Sequence, residues 1–269
     1  MRPQPSDPSE LREVHTPFAT QRAIAALMLR EMSTTYGRSP GGYVWAILEP
    51  VAGIGLLTAI FSIGFRTPPL GTSFALFYAA GLLPFLMYGD LSNKLLHTIS
   101  FSRALLEYPR VTFIDALLAR FFLNTITQFM VHFVVMGGIF IFLAPYTEIN
   151  FVKIAQAYGV TLALAFGVGV MNSFLTLAYP VWQTVWAIMN RPIFIISCLF
   201  FIFESIPNPW SDMLWYNPLV HIVGLMRDGY YPFYRPTYVS IVYPLSIAAI
   251  LTITGLFLHN RYHREILLK

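Results

Sequence analysis

The chain has 269 residues, of which 56% are hydrophobic and only 11% are charged, and its formal net charge is +4. A soluble domain carries about 25% charged residues, and the apolar runs here do not alternate in polarity as the strands of a membrane barrel do. The composition therefore excludes a soluble protein and indicates an all-α, polytopic integral membrane protein. The single cysteine, Cys198, excludes an intrachain disulfide and a metal or redox centre built on cysteines.

Residues 1–17 are rich in proline, serine and charge and contain no apolar run, which predicts a disordered cytoplasmic tail without a cleavable signal peptide. Residues 18–38 change to a helical pattern, in which Ile24, Leu27, Met28 and Met32 recur at helical spacing among charged residues. We interpret this segment as an amphipathic helix lying in the membrane interface. A short soluble helix is the alternative.

A turn and two aromatic residues separate this helix from the first long apolar run. The segment Arg38-Ser-Pro-Gly-Gly42 breaks helices, and Tyr43 and Trp45 are of the type that settles at headgroup depth. Residues 39–269 are predicted to form one domain with six membrane spans, because the apolar runs approach the roughly 20 residues that a spanning helix needs. The predicted spans are residues 44–65, 74–93, 117–143, 154–179, about 186–203 and 240–258.

The region between the fourth and sixth spans is irregular. The fifth apolar run is short, and residues 204–238 contain five prolines among many aromatic residues. Irregular backbone at membrane depth is tolerated only where it is buried in protein or lines a cavity. A short fifth span and a re-entrant helical hairpin are therefore predicted to fill one membrane thickness together. Elsewhere, Pro84 predicts a kink in the second span, and Gly167 and Gly169 predict close helix packing in the fourth.

The distribution of basic residues predicts which side of the membrane each loop faces. With the N-terminus in the cytoplasm, 13 of the 17 lysines and arginines fall on the cytoplasmic side. The other four are Arg66, Lys153, Arg227 and Arg235. This bias follows the positive-inside rule and, with six spans, predicts that both termini are cytoplasmic.

Motifs for catalysis are missing from the sequence. It has no G-x-x-x-x-G-K-[ST] phosphate loop, no H-E-x-x-H zinc motif and no G-x-S-x-G nucleophile elbow, so we predict no catalytic and no metal-binding residues. His132 is the one ionisable residue well inside a predicted span. Such residues are functional candidates, and a histidine hydrogen-bonded between helices is the alternative. Glu49, followed by Pro50, and Asp90 lie near span ends, where gating at the cytoplasmic mouth and helix packing are both open.

Aromatic residues make up 16% of the chain and concentrate at the span ends and in residues 204–238. Single aromatic residues anchor helices at the membrane interface, but the cluster in 204–238 is denser than anchoring requires. Because aromatic faces also stack against sugars, we predict a non-cytoplasmic exit for a long amphipathic substrate. The channel and gate candidates are Tyr43, Trp45, Glu49, Trp210, Trp215, Tyr216, Arg227, Tyr230, Tyr231 and Arg235.

Three phrases of the sequence resemble the permease subunits of ABC-2 type polysaccharide exporters, most closely those of Gram-negative capsular polysaccharide systems. The first is Tyr36-Gly-Arg-Ser-Pro-Gly-Gly-Tyr-Val-Trp-Ala-Ile-Leu-Glu-Pro50, preceded by Arg30-Glu-Met. The second joins Ala80-Gly-Leu-Leu-Pro-Phe to Arg103-Ala-Leu-Leu-Glu-Tyr-Pro-Arg-Val and Asp115-Ala-Leu-Leu-Ala-Arg120. The third is Tyr216-Asn-Pro-Leu-Val-His-Ile-Val-Gly-Leu-Met-Arg-Asp-Gly-Tyr-Tyr-Pro-Phe-Tyr234. The phrases keep the expected order over most of the chain.

The resemblance implies an arrangement and partners. Two copies would pair around a channel for a lipid-linked, acidic polysaccharide in the bacterial inner membrane, and two separate ATPase subunits would supply ATP and Mg, so this chain needs no cofactor of its own. A periplasmic polysaccharide co-polymerase and an outer-membrane channel are further implied partners, and no nucleic acid is expected. The implied ATPase-coupling residues are Arg22, Arg30, Glu31, Tyr36, Arg38, Arg103, Glu107, Tyr108 and Arg110.

The resemblance implies a mechanism, and two alternative functions stay open beside it. Closure of the ATPase dimer would move the interface helix and the 94–115 loop, and the Arg38–Pro50 junction would transmit that movement to the first span. Arg227 and Arg235 at the exit are expected to attract an acidic polymer. A permease for O-antigen or another lipid-linked glycan is the main alternative. An intramembrane glycan-processing enzyme is a further alternative, and it would need a catalytic acid pair.

Overall fold

The computed structural model describes residues 19–36, 41–106, 112–143 and 147–267. Within these ranges the regular secondary structure is entirely helical. The elements are α1 (Ala19–Glu31), which a π-helical turn (Met32–Tyr36) extends, α2 (Gly42–Gly64), α3 (Phe74–Leu96), α4 (Thr98–Leu106), α5 (Phe113–Leu143), α6 (Phe151–Ala178), α7 (Trp182–Ile196), a 3₁₀ turn (Phe203–Ser205), α8 (Trp210–Trp215), α9 (Pro218–Tyr230) and α10 (Val242–Leu267).

Five helices in the described ranges are long and apolar enough to cross a membrane, and they confirm the helical membrane class. They are Val44–Gly64, Phe74–Leu96, Phe113–Leu143, Phe151–Ala178 and Val242–Tyr262. Their bounds lie close to those of the first four spans and the last span predicted from the sequence. At the start of α5, Thr112 and Asp115 exchange hydrogen bonds of 2.8–3.2 Å in a capping arrangement. This cap starts α5 four residues before the predicted Leu117.

The predicted fifth span differs from the structure. Instead of a helix over 186–203, α7 begins at Trp182 and ends at Ile196. Its 15 residues extend about 22 Å, which is less than the roughly 30 Å of the hydrocarbon core. The helix ends because Asn217 donates from Nδ2 to the Ile196 carbonyl at 3.2 Å and to Ser197 Oγ at 3.1 Å. The next residue, Cys198, takes a left-handed conformation with φ 57°.

Helix α3 lies at the centre of the bundle and packs against α2, α5, α6 and α9. In its spanning window 78% of the residues are buried, against 11% in α2 and 22% in α10. The predicted close packing at the two glycines of α6 is confirmed. A Cβ added at Gly167 would lie 2.5 Å from the Ala248 carbonyl oxygen, and one at Gly169 would lie 2.5 Å from Leu95 Cβ.

The bundle has two ends, the α1 end and the α9 end. At the α1 end, α1 packs against α5, close to the C-terminal part of α3 and to α4. At the α9 end, α9 packs against α3 and α6, and residues 231–240 return to α10. Here Gly71 has φ +73°, and its missing side chain leaves room for the Tyr231 ring, which would lie 2.6 Å from an added Cβ.

Candidate functional site

A buried ion pair joins α1 to the membrane bundle. The Arg120 Nε donates to Glu31 Oε1 at 2.8 Å, and the side chains of the two residues are 10% and 8% exposed. The pair connects residues 89 positions apart in the sequence. Breaking a buried pair by removing one partner leaves an uncompensated charge and costs about 3–5 kcal/mol. The C-terminus of α1 is therefore firmly held on α5.

Arg120 also contacts the C-terminal part of α3 and the next helix, α4. Its Nη1 donates to the Lys94 carbonyl oxygen at 3.1 Å, and its guanidinium carbon lies 4.3 Å from the centre of the Phe101 ring on α4. The guanidinium of Arg30 lies 6.0 Å from the same ring. A cation over an aromatic face contributes about 0.5–2 kcal/mol. The guanidinium of Arg120 thus contacts α1, the end of α3 and α4 at the same time.

A chain of polar contacts continues from Arg120 along α3 and α5. Asn124 donates to the Arg120 carbonyl at 2.7 Å and accepts from Lys94 Nζ at 2.6 Å. Lys94 also pairs with Asp90 at 3.2 Å, and Asp90 accepts from Gln128 Nε2 at 2.8 Å. Charged and amide groups inside a membrane bundle are costly unless they pair with one another or face water. Here these groups pair with one another, and Asp90 and Gln128 line a cavity.

This cavity has a volume of about 590 Å³ and lies between α2, α3, α5 and α7. Such a volume falls in the range of about 300–1,000 Å³ that is typical of ligand sites. Glu49 and Pro50 of α2 form part of its wall, as does Ala46. Because Pro50 has no N–H, it cannot donate to the Ala46 carbonyl one helical turn earlier. The titratable residues in the wall are Glu49, Asp90, Lys94, His97 and Arg191.

His97 lies directly after α3, at the edge of the cavity and near Arg120. Partial burial lowers the pKa of its imidazole below 6.5, and the positive charge of Arg120 lowers it further. His97 is therefore neutral at pH 7, and its protonation would add a third cation beside Arg120 and Lys94.

At the α9 end, Arg227 is 1% exposed and therefore lies inside the bundle. It donates from Nη1 to the Phe201 carbonyl and from Nη2 to the Leu199 carbonyl, both at 2.9 Å, and lies 4.1 Å from the centre of the Phe77 ring. The carbonyls of the irregular segment after α7 thus receive the donors that a helix would have supplied. Arg227 holds this break against α3 and α9.

A second cavity, of about 770 Å³, lies at the α9 end between the start of α6 and residues 232–237. Arg235 and Glu148 line it, together with the ion pair between Lys153 and Asp228 at 3.1 Å. Arg235 is exposed. Asn150 joins the two walls, because its backbone N–H donates to the Gly229 carbonyl at 2.8 Å.

Comparison with known proteins identifies the family. The ABC-2 type transporter model matches residues 22–231, which is most of the chain. The chain belongs to the ABC-2 type transporter family. It is 35% identical to the polysialic acid transport protein KpsM of Escherichia coli over 248 residues, covering 90% of this chain and 95% of that protein. It is 25% identical to the capsule polysaccharide export inner-membrane protein CtrC of Neisseria meningitidis serogroup A, with coverages of 91% and 93%. It is also 25% identical to BexB of Haemophilus influenzae, with coverages of 91% and 92%.

Several coupling residues predicted for this ABC-2 transporter meet at the α1 end. Glu31 is buried there, and Arg30 contacts Phe101 from the surface. Arg22 and Arg103 are exposed. Arg38, Glu107, Tyr108 and Arg110, and the side chains of Tyr36 and Tyr43, lie outside the described residues.

The structure corrects the prediction for Arg227. It was expected beside Arg235 as an exit charge open to substrate, yet its guanidinium is buried and bonded to backbone carbonyls. The reason is that the break after α7 leaves backbone carbonyls inside the bundle without helical N–H donors, and Arg227 on α9 donates to two of them. Of the two arginines only Arg235 is exposed.

The predicted aromatic gate separates into buried and exposed residues. Tyr230 and Tyr231 are 4% and 2% exposed, so their rings pack inside the bundle. Trp215 is half-buried and donates to the Tyr238 carbonyl at 3.0 Å. Exposed aromatic surface remains at Trp210 and Tyr216. At the other end of the bundle, Trp45 on α2 is 61% exposed and Glu49 is also exposed.

His132 connects two helices. Its Nε2 lies 2.9 Å from the Tyr230 hydroxyl of α9, and the imidazole is buried against Tyr158 of α6. This contact matches the packing alternative. Thr147 donates to the Tyr230 carbonyl, so the start of α6 and the end of α9 meet at the same residue.

Arg120, Lys94, Asn124 and Gln128 form the polar connection of the α1 end, and they were not among the predicted site residues. Arg120 is the fourth residue of the predicted third span, and a charge at that position indicates only that the span begins nearby. The available signal was the spacing of Arg120, Asn124 and Gln128, which recur every four residues and so share one helix face.

Proposed function

We propose that this chain is the permease subunit of an ATP-driven exporter that moves capsular polysaccharide across the bacterial inner membrane. The observation that carries the proposal is similarity over at least 90% of the chain to proteins named for polysialic acid transport and capsule polysaccharide export. The five spanning helices and the polar cavity support it, because a permease needs both. ATP hydrolysis belongs to a separate subunit in this proposal, since the chain has no phosphate loop.

The proposed topology has six membrane crossings with both termini in the cytoplasm. The α1 end faces the cytoplasm, in accordance with the excess of basic residues predicted for that side. The fifth crossing is composite: α7 crosses part of the bilayer, and α8 and α9 form the re-entrant segment that fills the remainder. Hydrogen bonds from Asn217 and Arg227 to the carbonyls of residues 196–201 support this arrangement, because they satisfy broken backbone at membrane depth.

The proposed coupling path begins at α1. In the complex, α1 and α4 contact two ATPase subunits, and two copies of this chain form the channel. A movement of α1 reaches α5 through Glu31 and Arg120, and it reaches α2 through the turn after Glu31. Arg120 contacts both α1 and α4, so the two surfaces move as one unit. The path from Arg120 through Asn124 and Lys94 ends at Asp90 in the cavity wall.

The proposal is tested by deleting the gene in its native host and measuring polysaccharide inside and outside the cell. We expect surface polysaccharide to disappear, intracellular polysaccharide to accumulate, and re-expression of the chain to restore export. Normal surface polysaccharide in the deletion strain would refute the proposal. Removal of residues 18–36 tests the coupling path: we expect loss of export and of co-purifying ATPase, with membrane insertion checked separately. Full export with the ATPase still bound would contradict the path.

A further inference from the structure

Helix α7 presents one polar stripe to the 590 Å³ cavity. Gln183, Trp186, Ala187 and Asn190 line the cavity at positions i, i+3, i+4 and i+7, which places them on a single face of the helix. This stripe is unusual for a helix at membrane depth, because amide side chains there are expensive unless they serve a polar partner.

Two atoms of the stripe lack such a partner. Trp186 Nε1 and Asn190 Oδ1 are shielded from solvent, and neither has a hydrogen-bond partner among the described residues. An unmade hydrogen bond at a buried polar atom is unfavourable, and a native structure that keeps two of them on adjacent turns calls for an explanation. One is a donor and the other an acceptor, so together they match a hydroxyl group, which can accept and donate at once.

The charge of the cavity argues against a dense anion as the preferred occupant. Asp90 and Lys94 neutralise each other in an ion pair at 3.2 Å. Glu49 and Arg191 carry opposite charges, and His97 is neutral at pH 7. The wall therefore has no net charge, while it offers amides and an indole ring. Such a mixture of aromatic surface and a few polar groups suits a neutral, hydroxyl-rich molecule.

We propose that the α7 stripe is a glycan subsite that recognises the ring hydroxyls of the transported sugar and not its acidic groups. This inference rests on the proposed function and assigns the specificity of the channel to Gln183, Trp186 and Asn190. The indole of Trp186 supplies a face for the sugar ring. Trp186 Nε1 and Asn190 Oδ1 are shielded from solvent in the structure, so binding as proposed requires the two side chains to rotate towards the sugar hydroxyls. Acidic groups of the polymer remain towards water.

The test uses the single native cysteine to advantage. Cys198 is 1% exposed, so the unmodified chain gives a low background with a thiol reagent. Ala187→Cys places a thiol in the exposed part of the stripe, and Ile188→Cys places the control outside the cavity at a position that is 60% exposed. The full complex with its ATPase subunits, in nanodiscs, is labelled with or without two probes. These are a trimer of α2,8-linked sialic acid, which is acidic, and maltotriose, which is neutral.

We expect both probes to protect Ala187→Cys from labelling and neither to protect Ile188→Cys. Adding Trp186→Phe, which keeps the ring and removes the donor, should raise the probe concentration needed for protection by about tenfold, the equivalent of about 1.4 kcal/mol. Trp182→Phe, the same change on α7 at a tryptophan outside the cavity whose Nε1 donates to Asn172 Oδ1 at 3.0 Å, should leave protection unchanged.

Three results would overturn the inference: no protection by either probe, protection by the sialic acid trimer alone, or equal effects of the two tryptophan variants. Protection by the sialic acid trimer alone would mean that the cavity recognises the acidic groups of the sugar. None of these results bears on whether the chain exports polysaccharide, which the gene deletion decides separately.

Discussion

The ion pair between Glu31 and Arg120 offers the sharpest test of the α1 end. At 2.8 Å and an effective dielectric of about 20, the Coulomb attraction of two unit charges is about 6 kcal/mol, part of which offsets their desolvation. We expect Glu31→Gln and Arg120→Gln each to destabilise the folded complex by about 3 kcal/mol. The double variant should lose scarcely more than either single variant, giving a coupling energy of about 2–3 kcal/mol.

The assay is a double-variant cycle on the purified complex, with unfolding followed by circular dichroism in detergent. Lys153 and Asp228 supply a matched control pair at a similar distance, 3.1 Å, with side chains 40% and 19% exposed. Solvent screening should keep the coupling of that pair below about 1 kcal/mol. If the effects of Glu31→Gln and Arg120→Gln simply add, the ion pair does not couple α1 to α5. In vesicles, the exchanged pair Glu31→Arg with Arg120→Glu should recover part of the export that either single charge reversal abolishes.

Three further predictions concern other parts of the chain. Arg227→Met should lower the thermal midpoint strongly, because two backbone carbonyls lose charged donors worth about 1.5–3 kcal/mol each. The control Arg235→Gln should change the free energy of unfolding by less than about 0.5 kcal/mol, and equal effects of the two variants would contradict the burial of Arg227. Acidification from pH 7.5 to 5.5 should destabilise the complex, because the pKa of His97 in the folded protein lies below its ordinary value of 6.5, so that protonation favours the unfolded state. His97→Gln should reduce this loss of stability, and an unchanged pH profile in that variant would count against the prediction. Gly169→Ala should lower the free energy of unfolding by about 1–3 kcal/mol, because the added methyl group overpacks against Leu95. The control Gly159→Ala has nothing within 4 Å of the added Cβ and should be neutral or slightly stabilising, so comparable melting curves for both variants would contradict the close packing at Gly169.

The long helices could be predicted from the sequence because their signal is local. An apolar run of sufficient length has to form a helix in a membrane, whatever the rest of the chain does. The predicted span limits at Phe74 and Leu143 coincide with the first residue of α3 and the last residue of α5. Gly167 and Gly169 were also informative, since close helix approach is a direct consequence of a missing side chain.

The fifth apolar run could not be interpreted correctly in the same way. Nothing within residues 191–203 marks Ile196 as a helix end. The donors that make the break possible are Asn217 and Arg227, which lie 21 and 26–28 residues further along the chain. The same distance explains why Arg227 was assigned to the exit, since its carbonyl partners lie 26–28 residues earlier in the chain.

The polar site at the α1 end is also a product of tertiary structure. Glu31 could be assigned to ATPase coupling by resemblance, but its partner Arg120 lies 89 residues away. Glu49 and Asp90 were recognised separately as residues near span ends, and the structure adds that they line the same cavity. Pairings of this kind depend on how helices pack, which residue spacing alone does not specify.

The walls of the cavity are unequal in how firmly the chain holds them. Asp90 and Gln128 stand on α3 and α5, which the polar contacts of the α1 end lock together. The opposite walls are α2, in which 11% of the spanning window is buried, and α7, in which no residue is buried. The volume of the cavity is therefore set by two helices that can shift at little cost in contacts buried within this chain. Distance probes placed on α2 and α7 should report the transport cycle, while probes on α3 and α6 should record an unchanging frame.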